Sequence, residues 1–286
     1  MIIEHLSNGA TSGHNDDHVA VFTGTGVTDI VVIDGGTSVA ERDYIDAVQG
    51  DVAWFVHAFT AALGQVLAPG RSQQDCVSAA AGIVLEAFEH TTSADAAPPY
   101  AWPIAALTWL RIDEQGGATR ASLYSLGDCK TLLYTPAHGC IDLDPFENPQ
   151  DGVLQAEIAR LRAAGITDST QRREQMLPML RARRAFQNTS PAPEILCLRP
   201  HGPFKPRVLS LDPGPAARFL IMTDGFYRLV DTYGLYSNIG LVEACLQRGL
   251  ETMVGELRHH EAAAGDAGAH VVKAADDASA AMLRLD

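Results

Sequence analysis

The chain has 286 residues, of which 47% are hydrophobic, and its formal net charge is −14. This length and hydrophobic fraction favour one large domain that spans residues 1–286. The acidic balance argues against a nucleic-acid surface, which needs a basic stripe to displace counterions, and against an anionic membrane surface. The five cysteines are scattered and lack zinc-site spacing, as is typical of a reducing compartment.

The first residues, MIIEHLSNGATSGHNDD, lack the basic and apolar regions of a signal peptide. Elsewhere, no apolar run reaches the roughly 18 residues that a membrane span requires. We therefore expect a cytoplasmic protein without a membrane partner.

The first half of the chain predicts strands, then two helices, then strands again. β-Branched and apolar residues run into Asp34-Gly35-Gly36, which indicates strands that end in a turn. After this turn the apolar residues change to helical spacing, and later short apolar runs separated by turns indicate an antiparallel meander. The predicted strands are 19–25, 29–33, 104–112, 120–126 and 130–134, and the predicted helices are 38–67 and 73–90.

The second half begins with a distinct segment, residues 142–190, in which turn formers precede amphipathic helices. Its arginines are concentrated at Arg172, Arg173, Arg181, Arg183 and Arg184. Beyond it we expect strands at 194–198, 207–211, 218–222 and 280–285, and helices at 239–249 and 251–264. This order is not the regular βαβ alternation of a parallel sheet. It predicts an α+β fold of two mainly antiparallel sheets with helices packed outside.

Aspartate stands beside an apolar strand and a turn at five places. These are Asn15-Asp16-Asp17, Asp34-Gly35-Gly36, Gly127-Asp128, Thr223-Asp224-Gly225 and Asp276-Asp277. A strand holds its terminal residue rigidly, and Mg²⁺ and Mn²⁺ prefer carboxylate and carbonyl oxygens as ligands. Taken alone, each piece also fits a plain turn, a solvated pair or a helix cap, because Asp and Gly are favoured in turns for local reasons.

The order of these pieces resembles that of the PP2C-type (PPM) phosphatases. The matching segments are HNDDHVAVF, VVIDGGTS, YSLGDCKTLLY, RFLIMTDGFYRLV and ADDASAAMLRL. The resemblance covers essentially the whole chain and is most specific in the segments that contain TDG and LGDCKTLLY. It implies an α-β-β-α sandwich, in which two mainly antiparallel sheets are flanked by helix pairs and residues 142–190 form a flap-like insertion.

The resemblance also implies a site for two Mn²⁺ or Mg²⁺ ions. The implied ligands are Asp17, Asp34, Gly35, Asp128, Asp224 and Asp276. Asp34 would bridge the two ions, the Gly35 carbonyl would bind one of them, and Asp128 with Asp224 would hold a weaker third ion. Whether Asp16 takes part through a water is left open.

The implied reaction is hydrolysis of a phosphate monoester by a water activated between two metal ions. Phosphoserine or phosphothreonine on a protein, placed there by a serine/threonine kinase, is the implied substrate class. The candidate catalytic residues are Asp34, Asp224 and His14. Two alternatives remain: a phosphatase of a small phosphorylated metabolite, and a regulatory or binding module with little turnover.

The chain departs from the family where an arginine usually precedes the first acidic pair, because Ser12-Gly13-His14 stands there. His14 or His18 is a candidate hydrogen-bond donor to the phosphate, or a candidate general acid. The alternative for each is that it is an ordinary surface histidine. Arg42, or an arginine of the cluster between residues 172 and 184, is another candidate for the phosphate.

Overall fold

Groups of strands alternate with pairs of helices in a computed structural model that describes residues 1–11, 13–91, 96–115, 117–264 and 275–285. The strands are β1 Ile2–Asn8, β2 His18–Gly24, β3 Val27–Gly35, β4 Ile104–Gln115, β5 Ala118–Leu126, β6 Lys130–Thr135, β7 Gly139–Asp142, β8 Leu196–Cys197, β9 Arg207–Leu211, β10 Arg218–Met222 and β11 Ala278–Arg284. The helices are α1 Asp51–Val66, α2 Gln73–Glu89, α3 Asp151–Ala163, α4 Ser169–Asn188, α5 Asp224–Tyr227, α6 Asn238–Arg248 and α7 Leu250–Ala264. Within these ranges, no helix is long and apolar enough to cross a membrane.

The strands form two antiparallel sheets that pack against each other. One sheet has the order β1-β11-β10-β6-β7, and the other has the order β2-β3-β4-β5-β9, with β8 paired to β4. A buried cluster that joins Ile30 and Leu110 of the second sheet to Phe219 and Leu283 of the first fills the space between them. The ends of strands from both sheets are thereby brought near one another.

Successive side chains of strand β3 point to opposite faces of the second sheet, and both sets are apolar. Helices cover the face that does not pack against the first sheet. Ile30 and Val32 face the inter-sheet core, whereas Val31 and Ile33 belong to a separate buried cluster with α1 and α2. On the first sheet, α6 and α7 pack in the same way against β10 and β11. The predicted α-β-β-α sandwich of two antiparallel sheets flanked by helix pairs is therefore confirmed.

Helices α3 and α4 lie within the segment 142–190 that the sequence singled out. They pack together through a small buried cluster of Ile158, Leu161 and Met176. Helix α4 also reaches the main body of the protein, where the Asn188 amide donates to the carbonyls of Pro99 and Trp102 at 2.9 Å each. The description of this segment as a flap-like insertion in a single domain stays a prediction.

The predicted helix at 38–67 was wrong in its first part, because α1 begins only at Asp51. The buried Asp51 carboxylate accepts hydrogen bonds from the backbone N–H groups of Tyr44, Ile45 and Asp46, and these bonds hold the preceding segment as a loop. Gly50, with φ of 87°, ends any backward extension of the helix. Strands β1 and β7 and the short helix α5 were not predicted.

Candidate active site

Four of the predicted aspartates line one pocket of about 360 Å³ at the ends of the strands. Asp34 lies at the end of β3, and Asp224 begins α5 directly after β10. Asp128 occupies the turn between β5 and β6, and Asp276 precedes β11. Residues that are up to 242 positions apart in sequence (34 to 276) therefore share one cavity, because the paired sheets place these strand ends together.

Asp17 lies beneath this pocket and does not line it. Its side chain is buried, and its carboxylate accepts a hydrogen bond from Thr223 Oγ1 at 2.9 Å. Thr223 precedes Asp224, so this bond fixes the start of α5 against the segment that leads into β2. The structure thus brings Asp17 close to the pocket aspartates.

Mutual repulsion and burial disfavour the ionised forms of these aspartates. Burial, followed by the charge of Asp224 and then of Asp17, holds the pKa of Asp34 well above its usual range. Burial is also the largest cause for Asp17, whose pKa is raised in the same direction. Burial and the charge of Asp128 raise the pKa of Asp224 to about 7. The cluster therefore needs additional positive charge to ionise fully at neutral pH.

Three glycines beside the aspartates are required for close packing. A Cβ on Gly35 would lie 2.4 Å from the Asp16 carbonyl oxygen, and one on Gly225 would lie 1.9 Å from that of Asp277. Gly127 has φ of 79°, and a Cβ there would lie 2.5 Å from Ala106 Cβ. The glycines thus allow the backbone segments that carry the aspartates to approach one another, beyond any role in turns.

The two adjacent aspartates before β11 have different partners. Asp276 lines the pocket, and its carboxylate is 2.7 Å from Arg228 Nη2. Asp277 accepts hydrogen bonds from the backbone N–H groups of Ala10 and Asp16 at 2.7 Å each. Asp277 therefore attaches the N-terminal loop to the sheet, a role that the sequence did not reveal.

His14 does not line the aspartate pocket. Its Nε2 atom is 2.9 Å from Asp16 Oδ1, its side chain is 48% exposed, and it borders two other surface cavities. His18 lies on β2 and makes an edge contact with His57, at 5.0 Å between ring centroids. Ser12, part of the departure noted in the sequence, lies outside the described residues.

Four arginines also line the aspartate pocket. They are Arg173, Arg183, Arg184 and Arg228. Arg42 lies elsewhere: it borders a different surface cavity and stacks on Tyr44. The concentration of arginines in the sequence of α4 was the signal for the first three. Arg228 was missed, although its position four residues after Asp224 places both on one face of a helical turn.

Two of the α4 arginines that line the pocket hold the loop that follows Asp34. Arg184 is buried, donates to the carbonyls of Gly36 and Thr37, and has its pKa lowered to about 10 by burial and then by its arginine neighbours. Arg173 donates to the Ser38 carbonyl at 2.7 Å. The end of β3 is thus held in place by a helix more than 130 residues away in sequence (38 to 173).

Arg183 is linked to the aspartates through an amide. Its Nη2 donates to Asn148 Oδ1 at 3.1 Å, and Asn148 Nδ2 donates to Asp128 Oδ2 at 2.9 Å. A guanidinium and a carboxylate are therefore held at one side of the pocket by a shared residue.

The donor set of this pocket suits a hard divalent cation. The donors are carboxylate oxygens, which Mg²⁺ and Mn²⁺ prefer, and the raised pKa values of Asp34 and Asp224 indicate a deficit of positive charge. Asp34 and Asp224 share a hydrogen bond, Asp128 bonds Asn148, and Asp276 bonds Arg228. Among the described residues, no three His, Cys, Asp or Glu side chains converge in a metal-binding arrangement in this structure.

Solved structures share this fold, although no model of a known protein family and no curated protein sequence matches the chain. The photosystem II phosphatase PBCP is similar with a TM-score of 0.59 at 13% identity, covering 100% of this chain and 98% of that one. An S. agalactiae serine/threonine phosphatase gives 0.56 at 12% identity, covering 100% and 99%. The catalytic domain of the serine/threonine phosphatase PstP, in complex with two manganese ions, gives 0.50 at 14% identity, covering 100% and 98%. The chain therefore has the fold of the PP2C-type (PPM) serine/threonine phosphatases, as the sequence predicted.

Proposed function

We propose that the protein hydrolyses phosphate monoesters with two Mn²⁺ or Mg²⁺ ions held by the pocket aspartates. The observation that carries this proposal is that carboxylates and guanidinium groups line the same cavity. Asp34, Asp128, Asp224 and Asp276 line it together with Arg173, Arg183 and Arg184 of α4. Carboxylates suit divalent cations and guanidinium groups suit phosphate, so the pocket matches both parts of a metal-assisted phosphoryl reaction.

Asp17, Asp34, Asp224, Asp276 and the Gly35 carbonyl would hold the two ions. Asp128 would hold a weaker third ion together with Asp224. When bound, the ions supply Lewis acidity towards the phosphoryl group and lower the pKa of a water to near neutrality. Arg228, already paired with Asp276 at 2.7 Å, orients this carboxylate in the pocket.

The phosphate-binding arginine of the PP2C-type phosphatases is absent near residue 12. Arg183 is the candidate for its role. It lines the pocket, and its planar guanidinium is suited to bidentate contact with phosphate oxygens. His14, which borders other cavities, stays the weaker of the two candidates. In this proposal the arginine comes from α4 and not from the N-terminal loop.

Phosphoserine or phosphothreonine on a protein, added by a serine/threonine kinase, is the substrate class that we propose. Two of the fold relatives named above are described as serine/threonine phosphatases, which supports this choice over a small phosphorylated metabolite. One observation favours a second candidate, a regulatory module with little turnover. Asp276 is engaged by Arg228, so a cation that uses this carboxylate must compete with a guanidinium.

Hydrolysis of p-nitrophenyl phosphate by the purified protein tests this proposal. We expect activity that requires added Mn²⁺, is abolished by EDTA, and falls roughly 100-fold or more in Asp34→Asn and in Asp224→Asn, because each removes a charged metal ligand. Asp212→Asn, at an exposed loop position, is the matched control and should retain activity. Activity in EDTA, or full activity in both pocket variants, would contradict the two-metal mechanism. Manganese binding without turnover would favour the regulatory module.

A further inference from the structure

A second cavity, of about 340 Å³, opens directly beside the aspartate pocket. We call it the flank groove; it runs between the loop 146–150, the C-terminal part of α4 and the segment 190–195. It shares five lining residues with the aspartate pocket: Asp128, Asn148, Arg183, Gln187 and Ile195. The two cavities are therefore continuous. The flank groove is thus one path along which a polypeptide can leave the pocket when its phosphorylated residue is bound there.

One wall of the flank groove is rigid. The Phe146 ring lies under the Arg207 guanidinium at 3.9 Å, and Arg207 is itself bound to Asp144 at 2.7 Å. Lys130 Nζ donates to the Phe146 carbonyl at 2.9 Å. Because these contacts fix both the ring and its backbone, Phe146 offers a preformed apolar surface.

The opposite wall of the flank groove carries an exposed aromatic ring. Phe186 on α4 is 72% exposed, and it is the one aromatic among the large apolar side chains that the described residues leave exposed. Its neighbours on the helix, Arg184 and Asn188, are buried instead. Covering an exposed phenyl ring with another apolar group removes it from water, which lowers the free energy. Phe186 is therefore suited to contact with a bound molecule.

The charges along the groove match a phosphorylated polypeptide. Arg183 stands where the groove meets the pocket, which is where a phosphoryl group would lie. Farther along, Ala192, Pro193 and Ile195 line the groove with apolar surface, and the Glu194 carboxylate beside them is paired with Lys205 Nζ at 2.6 Å. A cationic junction followed by an apolar stretch fits a phosphorylated residue with an apolar neighbour.

We propose that the flank groove binds an apolar side chain next to the phosphoserine or phosphothreonine of a polypeptide substrate, with Phe186 as a specificity-determining residue. This inference rests on the proposed function, because the phosphorylated residue is placed in the aspartate pocket. It names the feature that separates a protein substrate from a small metabolite, which would fill the pocket and leave the groove empty.

Binding of non-hydrolysable phosphonate peptides tests the groove without requiring turnover. A leucine is moved through the positions on either side of the phosphonoserine, and affinity is measured by fluorescence anisotropy with Mn²⁺ present. We expect one leucine position to bind best and Phe186→Ala to weaken that peptide roughly five- to tenfold, while a peptide without leucine is unchanged. Val208→Ala, at a 70% exposed position on β9, is the matched control and should have no effect.

Kinetics provide the second measurement. Phe186→Ala should raise KM for the corresponding leucine-containing phosphopeptide and leave kcat/KM for p-nitrophenyl phosphate unchanged. Equal losses on both substrates would indicate a structural role and overturn the inference, as would unchanged peptide affinity. Selective peptide binding without hydrolysis would support binding in the flank groove and refute the phosphatase proposal. Hydrolysis without a leucine preference would support the phosphatase proposal and refute binding in the groove.

Discussion

Replacing Thr223 by valine tests how the buried base of the site is held together. Thr223 Oγ1 donates to Asp17 Oδ2 at 2.9 Å and accepts from the Ser279 backbone N–H at 3.0 Å. Thr223 and Ser279 are fully buried, and Asp17 is nearly so. Valine keeps the shape of threonine, so the substitution removes these two hydrogen bonds and leaves both partners without access to water.

The expected loss in the free energy of unfolding is about 2–4 kcal/mol. A buried group left without its partner costs about 1–3 kcal/mol, and the substitution leaves two such groups, the Asp17 carboxyl and the Ser279 backbone N–H. Such a loss is a large share of the ~5–15 kcal/mol that stabilises an ordinary domain. The Thr223 bond also lowers the pKa of Asp17, so its removal should raise this pKa further and weaken Mn²⁺ binding.

Urea unfolding in EDTA measures the stability change, and calorimetric titration with Mn²⁺ measures the binding change. Thr60→Val is the matched control, because Thr60 is also buried but donates only to the Val56 carbonyl within α1, at 2.8 Å. That carbonyl keeps its own helical N–H partner, so this variant should lose less than about 1 kcal/mol. Equal losses in the two variants, or unchanged Mn²⁺ affinity in Thr223→Val, would refute the reasoning.

Two further predictions concern protons and packing at the site. With the pKa of Asp224 raised from 3.8 to about 7, the folded state keeps a proton that the unfolded state releases, so the metal-free protein should lose stability as the pH rises from about 4 to about 7. Mn²⁺ competes with that proton, and the increase in Tm caused by Mn²⁺ should grow over the same range; a pH-independent increase would contradict this. Gly127→Ala should lower the free energy of unfolding by at least ~1 kcal/mol more than Gly139→Ala, because both have positive φ but only the first places a Cβ against Ala106. Similar urea midpoints for the two glycine variants would show that the close approach is unimportant.

The strands near the site were predictable because they are apolar and bounded by turn residues. The predicted strands at 207–211 and 218–222 coincide with β9 and β10. Strand β1 was not predictable in the same way, because its sequence IIEHLSN lacks a regular alternation of apolar and polar residues. Its existence depends on pairing with β11, which brings Ile2 opposite Arg284 at the other end of the chain. Local pattern contains no information about such a partner.

The aspartates were identifiable because strand ends fix them locally, whereas their partners depend on tertiary structure. The sequence placed Asp276 and Asp277 together, and only the structure separates them into a pocket residue paired with Arg228 and a support for the N-terminal loop. Likewise, the arginine cluster of α4 was visible, but its hydrogen bonds to the loop after Asp34 were not. A long flexible side chain can reach many positions, so composition alone does not identify its partner.

Asn148 connects the two recognition events that the proposals describe. Its amide N–H donates to Asp128, the candidate ligand of the weaker third ion. Its side-chain carbonyl accepts from Arg183, the candidate hydrogen-bond donor to the phosphate. It also lines both the aspartate pocket and the flank groove. A polypeptide that draws Arg183 towards its phosphoryl group therefore alters the support of Asp128, and a cation at Asp128 alters the support of Arg183. We therefore expect binding at the two places to be coupled, in which case thermodynamic reciprocity requires each to change the affinity of the other by the same factor.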